Sequence, residues 1–207
     1  DDIPWSRIPE RKVTIEDIRY VLAAHYQGTP YDPYGTLGTD KTRSMYRPIG
    51  INRNCQLAVL QIRPYVPQSH RGVQWMSFGS NPFNALVPFF TNVREAPEYL
   101  ANTTARVSTD SFYWANRLIA ALADARFRDN ENAIDRYREK VGAFGHKLIH
   151  ETDEALACCP EEDVQAVLAA ANLRMADYLR EQTDALLSKV LYTTSLAMKN
   201  HFAMSDN

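Results

Sequence analysis

Cysteine is scarce in this chain. Cys55, Cys158 and Cys159 are the three it has, an odd number with two adjacent, and that gives no basis for a disulfide framework. Sparse thiols suit a reducing cytoplasm, and without a Cys-x-x-Cys pair no thiolate zinc site is expected. Long apolar runs are missing as well. Nothing approaches the ~18 unbroken residues of a membrane helix, so a soluble protein is expected. Neither sign of charge dominates: a formal net charge of −2 argues against a dedicated nucleic-acid binder. The chain begins Asp1-Asp2-Ile3-Pro4-Trp5, with no initiator Met, basic n-region or apolar signal core. That start reads as a cut edge. What is present is ordinary: 207 residues, 45% hydrophobic and 23% charged, fit a globular chain and exclude a disordered tail or a collagen-like fibre.

Proline and glycine thin out along the sequence. Ten of eleven prolines and six of eight glycines precede residue 104; only Pro160, Gly142 and Gly145 follow it. Helix interiors exclude Pro, so the chain divides into a mixed part, 1–104, and a helical part, 105–207. Thr14 with Asp17 resembles a capping box, and Ile15, Ile18, Val21, Leu22 and His25 keep helical spacing, giving a helix that stops near Gly28. A turn-rich loop follows to Asp40. Leu57–Ile62 is a nearly unbroken apolar run and reads as a strand covered on both faces; Val73–Phe78 reads as the next strand, joined by a hairpin-like 64–72. Beyond residue 105 three helices are expected. The first is capped by Asp110 and runs to Phe127, with Trp114, Leu118, Ala121, Leu122 and Ala125 on its buried face. The second covers 131–157. The third starts after Pro160, where Glu161-Glu162-Asp163 suits the helix dipole, and carries Val164, Leu168, Ala171, Met175, Tyr178, Leu186 and Val190 as its stripe. If it continues to Phe202, ~40 residues span ~60 Å, so it either kinks or finds a partner outside this chain.

Few motifs carry chemistry. His146 and His150 lie four apart on a helix, but Lys147 stands where a metalloprotease needs Glu, so a solvated face is expected and no metal. His25, His70 and His201 have no sequence partner. There is no Gly-x-Ser-x-Gly elbow, and Gly35–Asp40 lacks both the dinucleotide fingerprint and the P-loop Lys. Tyr31, Tyr34, Trp75, Tyr113 and Trp114 are read as packing. One segment stands apart: Lys41, Arg43, Arg47, Arg53, Arg63 and Arg71 are opposed only by Asp40. A planar guanidinium suits carboxylate recognition, and any Arg buried near the strands needs a partner.

Several strings resemble the bacterial dipeptidase A family: Tyr31-Asp32-Pro33-Tyr34-Gly35, Arg47-Pro48-Ile49-Gly50-Ile51-Asn52-Arg53, Gln74-Trp75-Met76 and Gly79-Ser80-Asn81-Pro82-Phe83-Asn84. The likeness continues through Phe112-Tyr113-Trp114-Ala115-Asn116-Arg117-Leu118 to Met198-Lys199-Asn200, so it spans essentially the whole chain. The resemblance implies a cysteine-type N-terminal-nucleophile hydrolase related to penicillin V acylase and bile salt hydrolase. The fold class it implies is α+β: the C-terminal part of a four-layer αββα sandwich, followed by a long helical region. The implied reaction is dipeptide hydrolysis. An N-terminal Cys attacks the peptide carbonyl while its α-amino group, of pKa about 7.7–8.0, serves as base, and water cleaves the acyl-enzyme.

With Asp1 first, that nucleophile is expected in a preceding segment, and the chain resembles the family's C-terminal half. Cys55 has no free amine and is read as a packed thiol. The related acylases hold an Arg near the nucleophile in a Ser-Arg-Phe-x-Arg context. Thr42-Arg43-Ser44-Met45-Tyr46-Arg47 is similar, which nominates Arg43 first and Arg47 second. Ser80 and Asn81, at the end of the second strand, are nominated as pocket-lining residues that bind substrate. The expected partners are dipeptides, the N-terminal half and further copies of the chain, in the cytoplasm, with no cofactor, nucleic acid or membrane. Two rival readings are an acylase of a penicillin or bile-salt amide and a non-enzymatic helical scaffold.

Overall fold

A computed structural model describes residues 4–199. The reading of the start at Asp1, His201 and the extension of the last helix to Phe202 lie outside the described residues. The fold mixes a small antiparallel sheet with long helices. Helix α1, Ile15–Leu22, opens on the expected capping box: Thr14 Oγ1 accepts from the Asp17 amide at 3.2 Å, and Asp17 accepts from the Thr14 amide at 2.9 Å. It ends at Ala23 rather than near Gly28. His25 has left the helix to bond Asp32, and Tyr26 turns into positive φ.

Strands β1 (Gln56–Ile62), β2 (Gly72–Phe78) and β3 (Val87–Phe90) form a meander in the order β1-β2-β3. The third strand is not evident in the sequence, because Val87-Pro88-Phe89-Phe90 carries a proline. Val59 pairs with Trp75 and Trp75 with Pro88, so these three share one sheet face with Leu57, Val73 and Phe90. That face is dry. On the other, burial falls away across the sheet: Val87 and Phe89 are buried, Gln74 and Met76 half-buried, and Leu60 and Ile62 are 75% and 74% exposed. The expectation that β1 is covered on both faces is therefore corrected. Helices α1 and α4 close over the Trp75 side, and among the described residues no layer covers β1's other side.

A one-turn helix α2 (Glu98–Ala101) leads to α3 (Phe112–Asp124), α4 (Phe127–Leu156) and α5 (Val164–Ser195). Asp110 does not cap α3: its carboxylate binds Arg180 at 2.5 Å and accepts from Ser108 Oγ at 3.1 Å. The buried face of α3 is Phe112, Ala115, Asn116, Ile119, Ala120 and Ala123, one residue (~100°) round from the expected stripe. The reason is Trp114. Its indole lies at the rim and donates to the Thr104 carbonyl at 2.8 Å, so the largest aromatic does not mark the core. Helix α4 runs unbroken through both glycines, and Gly145 is where the sheet comes close: a Cβ there would stand 2.7 Å from Pro88 Cδ. The 32 residues of α5 span ~48 Å without a break and find their partners inside the chain, along α3, α4 and β3. Its observed stripe adds Asn172, Ala176, Leu179 and Thr183 to the expected residues, while Tyr178 is half-buried and stacks on Phe144 at 4.0 Å.

Asn172 settles how the sheet ends. Its Oδ1 accepts from the Phe90 amide at 2.8 Å and its Nδ2 donates to the Phe90 carbonyl at 3.0 Å. A side-chain amide thus replaces the missing neighbour strand at the β3 edge.

Candidate functional site

The loop between α1 and β1 carries the nominated arginines, and its anchors are local. The Gly50 amide donates to the Ala24 carbonyl at 2.8 Å, and a Cβ on Gly50 would lie 2.4 Å from Ala23 backbone atoms, so only glycine fits. Buried His25 meets Asp32 through Nδ1 at 3.0 Å, and the same Asp32 oxygen accepts from the Tyr34 amide at 2.9 Å. The Tyr34 ring stacks on Phe127 at 4.2 Å, and its hydroxyl donates to Asp124 at 2.6 Å. Burial, reinforced by that carboxylate, holds the phenol far above its ordinary pKa, so it stays a donor. Arg128 grips the Tyr34 and Gly35 carbonyls at 3.1 and 2.9 Å. The loop is therefore fastened to the start of α4.

On this loop Arg43 donates to Asp40 at 2.5 Å and to the Gly35 carbonyl at 3.5 Å, with its side chain 35% exposed. Arg47 is exposed, and its guanidinium has no hydrogen-bond or ion-pair partner among the described residues; its carbonyl accepts from Tyr26 at 3.4 Å. The other basic residues disperse. Arg71 reaches the Val66 carbonyl at 3.4 Å, and Arg63 is the buried arginine, paired with Asp153 at 2.5 Å and donating to the His70 carbonyl at 2.7 Å. Cys55 is exposed at the head of the β1 edge, which corrects its reading as a packed thiol. His146 and His150 are exposed as expected, beside Glu16 at 2.7 Å and Glu154 at 3.4 Å. Among the described residues no cluster of three or more His, Cys, Asp or Glu is placed to hold a metal.

Ser80 and Asn81 sit in a buried turn beyond β2. The Ser80 hydroxyl donates to the Asn52 carbonyl, which also accepts from Arg117 at 3.1 Å; Arg117 reaches Ser80 Oγ at 3.3 Å. Asn81 Nδ2 holds the Leu22 carbonyl at 3.2 Å, and its Oδ1 is buried with no hydrogen-bond partner among the described residues. Arg138 clamps the same turn from α4, donating to the carbonyls of Asn81, Pro82 and Asn84. Burial, with Arg19 close by, lowers its pKa to about 10. No hydrogen bond or ion pair among the described residues joins Arg43 or Arg47 to Ser80 or Asn81. What links the two regions is Asp124, which accepts from Tyr34 at 2.6 Å and from Asn52 Nδ2 at 3.3 Å. Asn52, Arg117 and Asp124 line a cavity of about 140 Å³ with Ser80 and Arg53. Sequence reasoning missed Arg117 and Asp124 as members of this region: 37 and 72 residues separate them from Ser80 and Asn52, and no local pattern spans that.

A larger cleft of about 640 Å³ opens between α1 and α4 above Pro82, lined by Arg19, Tyr20, His25, Asp135, Arg138 and His146. No helix of the described residues is long and apolar enough to cross a membrane.

With this geometry established, comparison with known proteins is specific. The family model described as peptidase family C69 matches residues 1–140. A protein of Bifidobacterium longum (strain NCC 2705) named "Dipeptidase" is 54% identical across the whole chain, which covers 46% of that relative. A "Probable dipeptidase A" of Streptococcus pyogenes serotype M3 is 47% identical over 99% of the chain and 43% of its own length. The "Dipeptidase A" of Lactobacillus helveticus is 40% identical over 92% of the chain and 40% of its own length. The chain thus spans somewhat less than half the length of these curated relatives.

Proposed function

Because this chain belongs to peptidase family C69, we propose that it forms the C-terminal part of a cysteine dipeptidase of the N-terminal-nucleophile type. The observation that carries the reading is the 54% identity, across every element described above, to a protein named for dipeptide cleavage. The nucleophilic thiol belongs to a preceding segment; it attacks the peptide carbonyl, its own α-amino group takes the proton, and water releases the acyl group. Arg43 stands next to that nucleophile, and Arg47 supplies a second positive charge. Ser80 and Asn81 shape the substrate pocket through their backbone, since their side-chain donors are committed to the Asn52 and Leu22 carbonyls. The open apolar face of β1, with Leu60 and Ile62 outward, supports a sandwich in which a second sheet lies on this one. We place the enzyme in the cytoplasm as a homo-oligomer, with exposed Leu191 and Tyr192 near the end of α5 and Leu196 and Met198 just past it giving an apolar surface for a second copy.

The test is activity of the full-length protein on dipeptides against penicillin and bile-salt amides. Dipeptide cleavage alone is expected; cleavage of either other amide with none of a dipeptide overturns the reading. In that protein Arg43→Ala lowers kcat by roughly 10²-fold, the scale of losing one preorganised electrostatic contact. Arg71→Ala, which only loosens the hairpin at Val66, stays near normal. Equal activities in the two variants remove Arg43 from the site.

A further inference from the structure

Among the described residues only Tyr26 and Ser44 are non-glycine residues at positive φ, +65° and +62°. Such backbone is strained for a side chain and persists only where surrounding contacts impose it. Both lie in the 23–50 segment, on either side of one aromatic cluster. The ring of Tyr26 lies 6.4 Å from Tyr31 and 6.2 Å from Tyr46, and Tyr31 meets Tyr46 edge-on at 4.9 Å. The Ser44 amide donates to the Tyr31 carbonyl at 3.3 Å, and the Tyr26 hydroxyl to the Arg47 carbonyl. These contacts, made between two strained points, hold Tyr26 against the stretch that carries Arg43 and Arg47.

Tyr26 also borders a cavity of about 200 Å³, lined by Tyr20, Ala24, Tyr26, Gln27 and Ile49. No charged residue lines it. The Gln27 amide oxygen accepts from the His25 amide at 2.9 Å, and the Tyr26 hydroxyl is committed to Arg47. Apart from the Tyr20 hydroxyl and the Gln27 amide nitrogen, the lining is rings and aliphatic carbon. Pockets for whole small ligands run to about 300–1,000 Å³, so this one takes part of a ligand, of the size of one leucine or phenylalanine side chain. Through its hydroxyl the Tyr26 wall of the cavity is tied to the backbone carbonyl of Arg47, whose guanidinium is without a partner among the described residues and has the form that complements a carboxylate.

We propose that this cavity is the subsite for an apolar C-terminal side chain of the dipeptide, with Arg47 facing that residue's carboxylate. The inference rests on the dipeptidase reading above. It makes Tyr20, Tyr26 and Ile49 determinants of specificity, not catalytic residues.

The experiment measures kcat/KM for Ala-Leu and Ala-Gly in the full-length protein, and their ratio. Tyr20 and Ile49 are both more than half exposed, so substitutions there test the pocket without emptying the core. Ile49→Trp fills the cavity and Tyr20→Ala removes one wall; circular dichroism checks that both variants fold. The Ala-Leu to Ala-Gly ratio is expected to be above one in the unmodified protein and to fall about tenfold or more in each variant, the scale of apolar pocket discrimination. A ratio below one in the unmodified protein, or ratios unchanged within about twofold in both variants, overturns the subsite and leaves the dipeptidase reading standing. Hydrolysis of neither dipeptide overturns the dipeptidase reading and the subsite with it.

Discussion

Replacing Asn172 with Ala tests how the sheet is closed at β3. The side-chain amide sits on the backbone of Phe90, and both residues are at most 3% exposed. Two ordinary hydrogen bonds contribute only about 1–3 kcal/mol net, because an unfolded chain makes the same bonds to water. The substitution does more than delete them, since it strands a main-chain N–H and C=O where water does not reach. Each orphaned group costs about 1–3 kcal/mol, so the expected loss is about 2–6 kcal/mol out of a total of about 5–15 kcal/mol for a typical domain. The assay is urea unfolding of the full-length protein followed by circular dichroism, with Asn172→Asp as a second variant. Aspartate accepts from the Phe90 amide but offers no donor to its carbonyl, so it also destabilises. A loss under about 1 kcal/mol in Asn172→Ala would mean that water replaces the amide and that this edge is not dry.

The two glycines of α4 give opposite signs. Gly145→Ala presses a methyl into Pro88, 2.7 Å away, and costs about 1–3 kcal/mol. Gly142→Ala meets no atom within 4 Å and gains about 0.5–1 kcal/mol of helix stability; chemical denaturation of both variants checks the difference in sign. His70 titrates below its ordinary value, chiefly because burial disfavours the cation and further because Arg63 is near, with Asp153 opposing. The unfolded chain therefore binds a proton first, so this contribution is complete above pH ~6.5 and is lost as pH falls below it. His70→Asn is expected to flatten the fall in urea midpoint between pH 7.5 and 5.5, and an unchanged slope would contradict the assignment.

Helices were legible in this sequence, and their facing was less so. Thr14 and Asp17 reveal the α1 start because a cap is a contact three residues long. The end of α1 is not local: it depends on His25 finding Asp32 and on Gly50 seating against Ala23. In α3 both the expected and the observed stripes keep the same spacing. The choice between them rests on whether Trp114 points to the core or to the Thr104 carbonyl, and only the tertiary structure decides that. The same limit hid β3, whose amide and carbonyl at Phe90 are satisfied by a side chain 82 positions away. The nominated arginines were visible as a composition bias. That Arg43 is paired, that Arg47 has no partner among the described residues, and that Arg63 of the same basic segment is buried was not, since Asp153 lies 90 residues beyond Arg63.

The exposed face of β1 is where the sequence and the structure disagree most, and the disagreement is informative. An antiparallel sheet that turns one face to water normally alternates polar residues outward. Here the outward positions are Gln56, Ala58, Leu60 and Ile62, and no residue of the strand is charged. At the edge, no strand of the described residues pairs with β1 beyond β2. Seven uncharged residues, mostly apolar, on an unpaired edge are what natural proteins shorten, charge or cover, because such an edge pairs with other chains. The β3 edge shows the protection that β1 lacks, since Asn172 and α5 close it. The apolar run marks a strand whose second face is apolar but exposed, since the described residues cover only one side of it. That pattern favours a second layer on the Leu60 side over a solvated surface, and it supports the sandwich in which the proposed nucleophile would sit.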